Sequence, residues 1–269
     1  MILGGGRKQF VSSDVLDVED GVAGYRGDGA NLLLEWQEDT TARNLSSLYL
    51  TSGQSLRDLE DFSVDRLLGL FSSTHLEYTL EQTEEMDDPS LEDMTRAALG
   101  VLSTREQGFV VFIEAGLIDH GHHGNKAREA LDETLQLDLA VTAALQMVDL
   151  EETLIVLTAD HSHSMTINGY PDRGTDIFGI GGHGHDGLRY PTLMYGTGPG
   201  YKVRPPPAAA KTPSPSKEPD ANGGRYDISQ DDMTPEDYRF VAAVPESSSD
   251  HSGDDVVIYA MGPHAHLFR

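Results

Sequence analysis

The 269-residue chain contains no cysteine. That excludes disulfide frameworks and thiolate metal sites, so any metal has to be held by His, Asp and Glu. The compartment stays open, because a secreted protein need not carry disulfides. Basic residues are scarce: 19 Lys and Arg stand against 45 Asp and Glu, a formal charge of −26. This balance argues against a nucleic-acid binder, which needs a basic face. It also conflicts with holding a phosphate group, unless bound cations supply the positive field. Long apolar runs are missing too, and none reaches the roughly 18 residues of a membrane-spanning helix. The opening Met1-Ile2-Leu3-Gly4-Gly5-Gly6-Arg7-Lys8 lacks the apolar core of a signal peptide. The closing Ala265-His266-Leu267-Phe268-Arg269 lacks the hydrophobic tail of a lipid-anchor signal. The expectation is a chain with no signal peptide, membrane span or anchor signal of its own, long enough for one sizeable core and a small appended lobe.

The organisation is that of an α/β protein. Residues 1–62 are mixed and polar, with Gly-rich turns at 4–6 and around 24–29, and Asn31-Leu32-Leu33-Leu34-Glu35-Trp36 reads as a short helix. The acids between Glu77 and Asp88 suggest a solvated loop. Residues 90–102 carry apolar side chains at helical spacing (Leu91, Met94, Ala97, Ala98, Val101) behind a helix-start signal, Asp88-Pro89-Ser90. Residues 108–113 form a short Phe- and Val-rich run without alternation, which predicts a buried, parallel strand. A long helix over 125–148 and a second buried strand over 153–158 would complete a right-handed crossover. Further strands are expected at 191–195 and 256–259. Residues 202–235 change character, and their Pro- and Ala-rich low complexity predicts an exposed or disordered loop.

Two motifs concentrate the chemistry. The first is Glu114-Ala115-Gly116-Leu117-Ile118-Asp119-His120-Gly121-His122-His123, and the second is Thr158-Ala159-Asp160-His161-Ser162-His163. Each sets carboxylate and imidazole groups just after an apolar run, where ligands of open α/β sheets sit beyond the strand ends. Asp119 and His123 are four apart, so on a helical turn their heads share a face and can meet one cation. Any one of these groups taken alone is more often a cap or a solvated surface residue. Four together are hard to read that way, since polar side chains at a buried edge need partners. Imidazole with carboxylate suits zinc, and oxygen ligands suit magnesium. Two metals about 3.5–4 Å apart would stabilise both oxygens of a phosphoryl displacement. His183 and His185, in a Gly-rich stretch, read as exposed loop residues, and spacing alone leaves His251 undecided.

These residues resemble the carboxyl-terminal part of the animal alkaline phosphatases. The resemblance runs through Phe112-Ile113-Glu114 to His123, Thr158 to His163, Tyr195-Gly196-Thr197-Gly198-Pro199-Gly200-Tyr201, Gly262-Pro263-His264-Ala265-His266-Leu267 and the opening Leu3-Gly4-Gly5-Gly6-Arg7-Lys8. It implies one incomplete domain over 1–269: a central, mostly parallel sheet flanked by helices. A crown-like insertion lobe is implied over 178–245, containing the loop 203–235. It implies hydrolysis of phosphate monoesters through two zinc ions, one magnesium ion and a phosphoseryl intermediate, in a homodimer at the cell surface or outside the cell, lipid-anchored in the full-length protein. Asp119, His123 and His251 match the ligands of the first zinc, Asp160 and His161 those of the second, and Glu114 a magnesium ligand. Phe71 (through its carbonyl) and Asp88 fall where animal members hold calcium, although Ser72 stands where a Glu is usual. Asn44, in Asn44-Leu45-Ser46, falls where some relatives carry a glycan.

The chain departs from the family pattern at its front. The Asp-Ser-Ala nucleophile motif does not occur in it, and the bridging Asp and the phosphate-clamping Arg belong to the same segment. The expectation is an alkaline-phosphatase-type chain that supplies metal ligands and no catalytic nucleophile, and that is inactive alone. The rival expectations are a non-catalytic metal-binding or dimerising remnant of the fold, and a sulfatase-like or phosphodiesterase relative.

Overall fold

The computed structural model describes residues 1–17, 21–83, 85–202 and 225–268. The predicted loop 203–235 therefore lies outside the described residues over 203–224. In chain order the elements are β1 (Ile2–Gly4), α1 (Leu32–Ala42), β2 (Ser47–Leu50), α2 (Gly53–Arg57), β3 (Arg66–Leu70), α3 (Leu91–Leu102), α4 (Gly116–His123) and α5 (Ala127–Met147). Nine short strands follow: β4 (Ile155–Leu157), β5 (Ser162–His163), β6 (Met165–Ile167), β7 (Ile180–His183), β8 (Arg189–Pro191), β9 (Leu193–Gly198), β10 (Ala242–Pro245), β11 (His251–Ser252) and β12 (Tyr259–Met261). The result is a mixed α/β chain. It divides into two compact units, Met1–Ala115 with Glu133–Leu154, and Gly116–Asp132 with Ile155–Arg269.

The first unit is built on a wholly parallel sheet of order β1-β3-β2. Its centre, β3, is buried from Leu67 to Leu70, as a strand covered on both faces should be. Leu50, Leu56, Leu67, Phe71, Ala97 and Val101 form the core. α3 turns Ala97, Ala98 and Val101 inward, and it starts where the sequence places a start: Ser90 and Asp93 form a reciprocal capping box. α1 is likewise capped, by the Asn31 side chain on the Leu34 amide.

The second unit centres on β9, which pairs in parallel with β10 and antiparallel with β6. Tyr195 on β9 packs with Ala127, Leu193, Phe240 and Ala242 in its core. The remaining strands form separate two-stranded pairs, β5–β11, β4–β12 and β7–β8.

The structure corrects three sequence expectations. Residues 108–113 belong to no strand, and Gly108 is left-handed (φ 75°); Val110 is 96 % and Phe112 88 % exposed. Apolar residues become a strand only when a neighbouring strand takes up their N–H and C=O groups, and this run joins none of the sheets among the described residues. The predicted crossover therefore lacks its first strand. The second is shortened to β4, which pairs antiparallel with β12 and leaves Val156 41 % exposed. Finally, the predicted helix 125–148 begins at Ala127, because Asn125 adopts a left-handed conformation (φ 56°) that ends the separate helix α4.

Candidate metal centre

Helix α4 sets the geometry. Asp119 and His123 lie one turn apart on it, with Asp119 Oδ2 3.3 Å from His123 Nε2. Gly121 between them is buried; a Cβ there would meet the backbone of Ala130 at 2.8 Å, so glycine lets α4 lie against the start of α5. The helix then terminates through amide bonds from Gly124, Asn125 and Lys126 to the carbonyls of residues 120–122.

His251 arrives from 128 residues away, and two devices bring it. The Ser249 amide donates to the His123 carbonyl (2.9 Å), and the His123 Nδ1 sits 2.6 Å from the Ser249 carbonyl. A carbonyl only accepts, so Nδ1 carries the proton and Nε2 presents its lone pair. Ser249 is fully buried. Then β11 pairs antiparallel with β5, placing His251 directly opposite His163. In consequence His251 Nε2 lies 3.2 Å from His123 Nε2 and 3.4 Å from Asp119 Oδ1. Ligand atoms around a tetrahedral ion with bonds of about 2.0–2.1 Å stand about 3.3 Å apart. The two imidazole nitrogens meet that spacing with each other, and each meets it with a different carboxylate oxygen of Asp119.

Further imidazoles surround them. His161 Nε2 is 3.8 Å from Asp119 Oδ1 and 3.3 Å from Asp160 Oδ2, and its ring stacks on that of His251 at 3.5 Å. His161 Nδ1 faces the Ser162 carbonyl at 3.1 Å, so its Nε2 is also the free nitrogen. Asp160 itself projects outward, its side chain 86 % exposed. Asp119, His161, His163 and His251 each bring one potential ligand atom within 4.8 Å of the others.

Electrostatics favour an anionic Asp119 and neutral rings at His163 and His122. Burial pulls against Asp119, but the bond from His163 and the nearby imidazoles His123 and His251 outweigh it and hold the carboxyl below its usual range. Burial lowers His163 against the opposing pull of Asp119. Burial also pushes His122 down to about 4, with His163 adding to the effect. Neutral imidazoles are the form that ligates metal.

The remaining predicted residues fall elsewhere. Glu114 belongs to the first unit and has an exposed side chain. Phe71 is buried in the first unit's core; Asp88 Oδ2 accepts the Glu77 amide at 2.9 Å, and the Ser72 hydroxyl donates to the His75 carbonyl. Asn44 is exposed in a turn after α1, with φ 53°. His163 stands in the Thr158–His163 motif but has no place among the expected ligands. The signal was there: His161 and His163 are two apart, and on a strand such residues share a face.

The comparisons with known proteins are consistent. A family model described as alkaline phosphatase matches residues 1–269. The membrane-bound alkaline phosphatase of Bombyx mori is 39 % identical over 270 residues, covering 100 % of this chain and 46 % of that protein. The alkaline phosphatase of Gadus morhua is 38 % identical over 275 residues, covering 100 % and 54 %. The chain thus spans about half the length of the curated relatives it matches. Among solved structures, Thermus thermophilus alkaline phosphatase superimposes with a TM-score of 0.50 at 28 % identity, over 62 % of this chain and 32 % of that one. A magnesium-bound variant of TAB5 alkaline phosphatase reaches a TM-score of 0.55 over 99 % and 54 %; at 16 % identity this speaks for the fold alone.

Proposed function

The chain belongs to the alkaline phosphatase family, and from that premise we propose that it is the cation-holding part of a phosphate-monoester hydrolase. The observation that carries the reading is the convergence of Asp119, His123 and His251 at 3.2–3.4 Å. Without cysteine, a mixed carboxylate and imidazole set is the zinc-type donor set open to it. Asp119, His123 and His251 would hold one zinc ion. Asp160 and His161 would serve a second, which the 3.3 Å between their ligand atoms supports. Glu114 would contribute to a magnesium ion, and Phe71 with Asp88 to calcium. When bound, such cations polarise a phosphoryl oxygen and offset charge on the attacking and leaving oxygens.

The chain's own residues would do the rest. His123 keeps its proton on Nδ1, against Ser249, so that its inner nitrogen stays basic. Asp119 brings the negative charge that draws a cation into this ring of imidazoles. On a chain of net charge −26, the cations make the pocket attractive to a phosphate dianion. The Ser nucleophile would come from an Asp-Ser-Ala segment, a triplet absent from these 269 residues. The rest of the proposal follows family membership: a homodimer, residues 178–245 as its crown-like lobe, glycan at Asn44, and an extracellular or surface location. No helix among the described residues is long and apolar enough to cross a membrane.

The test is direct. Residues 1–269, purified with zinc and magnesium, should retain zinc yet hydrolyse p-nitrophenyl phosphate no faster than buffer. Robust turnover that vanishes in Asp160→Ala would overturn the division of labour between this chain and the nucleophile segment. Failure to take up any zinc would overturn the cation-holding role and leave only a dimerising remnant of the fold.

A further inference from the structure

Behind the Asp119 carboxylate stands a second layer of side chains, all in the second unit. His163 Nε2 approaches Asp119 Oδ1 to 2.6 Å. A carboxylate only accepts, so Nε2 carries the proton. Nδ1 of the same ring is buried and has no hydrogen-bond partner among the described residues. Hydrogen bonding therefore secures one edge of this imidazole only. What holds the rest of the ring is packing: the His123, His161 and His251 rings meet it edge-on at 4.9, 5.3 and 5.1 Å, and the His122 ring alone among these four stacks on its face, at 5.0 Å with 30° between the planes. His122 is in turn tied to Tyr195, whose hydroxyl lies 2.9 Å from His122 Nδ1.

Tyr195 is a firm anchor. It is 1 % exposed, sits on the central strand of the β10-β9-β6 sheet, and faces Ala242 on one side and Met165 on the other. Asp119, His122 and His123 all leave one side of α4, at spacings of three and four. The same helix thus supplies two cation donors and one residue that reaches past them into the core.

We propose that Tyr195 and His122 are positioning residues: the Tyr195 hydroxyl fixes the His122 ring, the ring holds His163, and the His163 N–H holds the Asp119 carboxylate in its cation-binding rotamer. Neither Tyr195 nor His122 touches the cation. This rests on the cation site argued above. Its bland rival is a core tyrosine and histidine that merely satisfy each other, and the two differ in what a mild deletion does. Removing the hydroxyl would cost folding stability under both. Only the positioning role makes it cost cation affinity.

The probe is zinc alone, titrated against a chromogenic chelator, with the visible spectrum of the cobalt-loaded chain as a second readout. The full chain is used throughout. Tyr195→Phe keeps the ring and removes the bond. It should weaken zinc binding about 10-fold, the lower end of effects from groups that orient a ligand, and should alter the cobalt spectrum. Tyr190→Phe, on β8 and outside the network, should do neither. His122→Gln can still meet the Tyr195 hydroxyl but cannot stack, so it should weaken binding too; it carries the test if Tyr195→Phe does not fold. Wild-type affinity and spectrum in either variant, with only the unfolding midpoint of the metal-free protein lowered, would overturn the proposal. The site itself fails separately: the unsubstituted chain would bind no zinc, or Asp119→Ala would bind it equally well.

Discussion

His123 and His251, 128 residues apart, hold their Nε2 atoms 3.2 Å from each other. Two ring nitrogens this close must share a proton or a cation, since two bare lone pairs repel. His123 carries its proton on Nδ1 against Ser249, so its Nε2 lone pair accepts a proton from His251 Nε2 in the metal-free chain and is open to a cation once that proton leaves.

Zinc should therefore stabilise the folded chain. A ligand at 100 times its Kd adds about 2.7 kcal/mol, which for a chain of this size raises the melting midpoint by roughly 5–10 °C. Differential scanning fluorimetry with zinc and then excess EDTA reads it. His251→Ala should abolish the shift; an undiminished shift in that variant would remove His251 from the site.

Asn125 should prove a structural keystone beside the centre. It is fully buried, in the left-handed region, with Oδ1 accepting from the Gly200 amide at 2.7 Å and Nδ2 donating to the Thr197 carbonyl at 3.1 Å. Asn125→Ala orphans that amide at about 1–3 kcal/mol and adds backbone strain of roughly 1 kcal/mol. Asn125→Gly loses the same bonds without the strain, so urea unfolding should rank the chains wild type, Gly, Ala. An Ala variant as stable as wild type would contradict this account.

In the first unit, Arg7 and Asp17 form a two-pronged ion pair at 2.7 and 2.9 Å with both side chains almost wholly buried, and Arg7 also donates to the Leu70 carbonyl. Asp17→Asn removes the counter-charge and leaves the guanidinium inside. A loss of about 3–5 kcal/mol is expected, measured by denaturant titration. A loss under 1 kcal/mol would mean that the guanidinium escapes to water.

Acid should act on the second unit through Asp186. Arg225 grips its carboxylate at 2.6 and 2.8 Å, and that bond, with the Leu188 amide, draws its pKa down to about 2. A carboxyl depressed on folding gives stability that is complete above its unfolded value of about 3.9 and is lost as the pH falls through its folded one. Wild type should therefore exceed Asp186→Asn in stability at pH 7. The gap should hold down to about pH 4 and close by about pH 2. A gap that widened on acidification would reverse the sign and refute the assignment.

Much of the site was legible beforehand because its spacing is local. Asp119 and His123 are a helical turn apart, and the caps at Asn31 and Ser90 announce their helices by side-chain chemistry alone. The position of His251 was not legible in spacing, and only the family resemblance set it beside Asp119 and His123. Its approach depends on the Ser249 contact with His123, 126 residues away, and on the β5–β11 register, which joins segments nearly 90 residues apart. The apolar run 108–113 misled for a related reason: its composition suits a strand, but pairing is a property of a neighbour.

The amino-acid sequence by itself determined the chemistry available: a cysteine-free, strongly acidic α/β chain whose donors can only be oxygen and imidazole nitrogen, grouped at helical and strand spacing. Tertiary structure alone decided which donors meet and which tautomer each presents, and that His163, His122 and Tyr195 stand behind them. Periodicity is set by neighbours three or four residues away, whereas convergence needs the chain to close loops of up to 128 residues, and only packing and backbone pairing select among the ways of closing them.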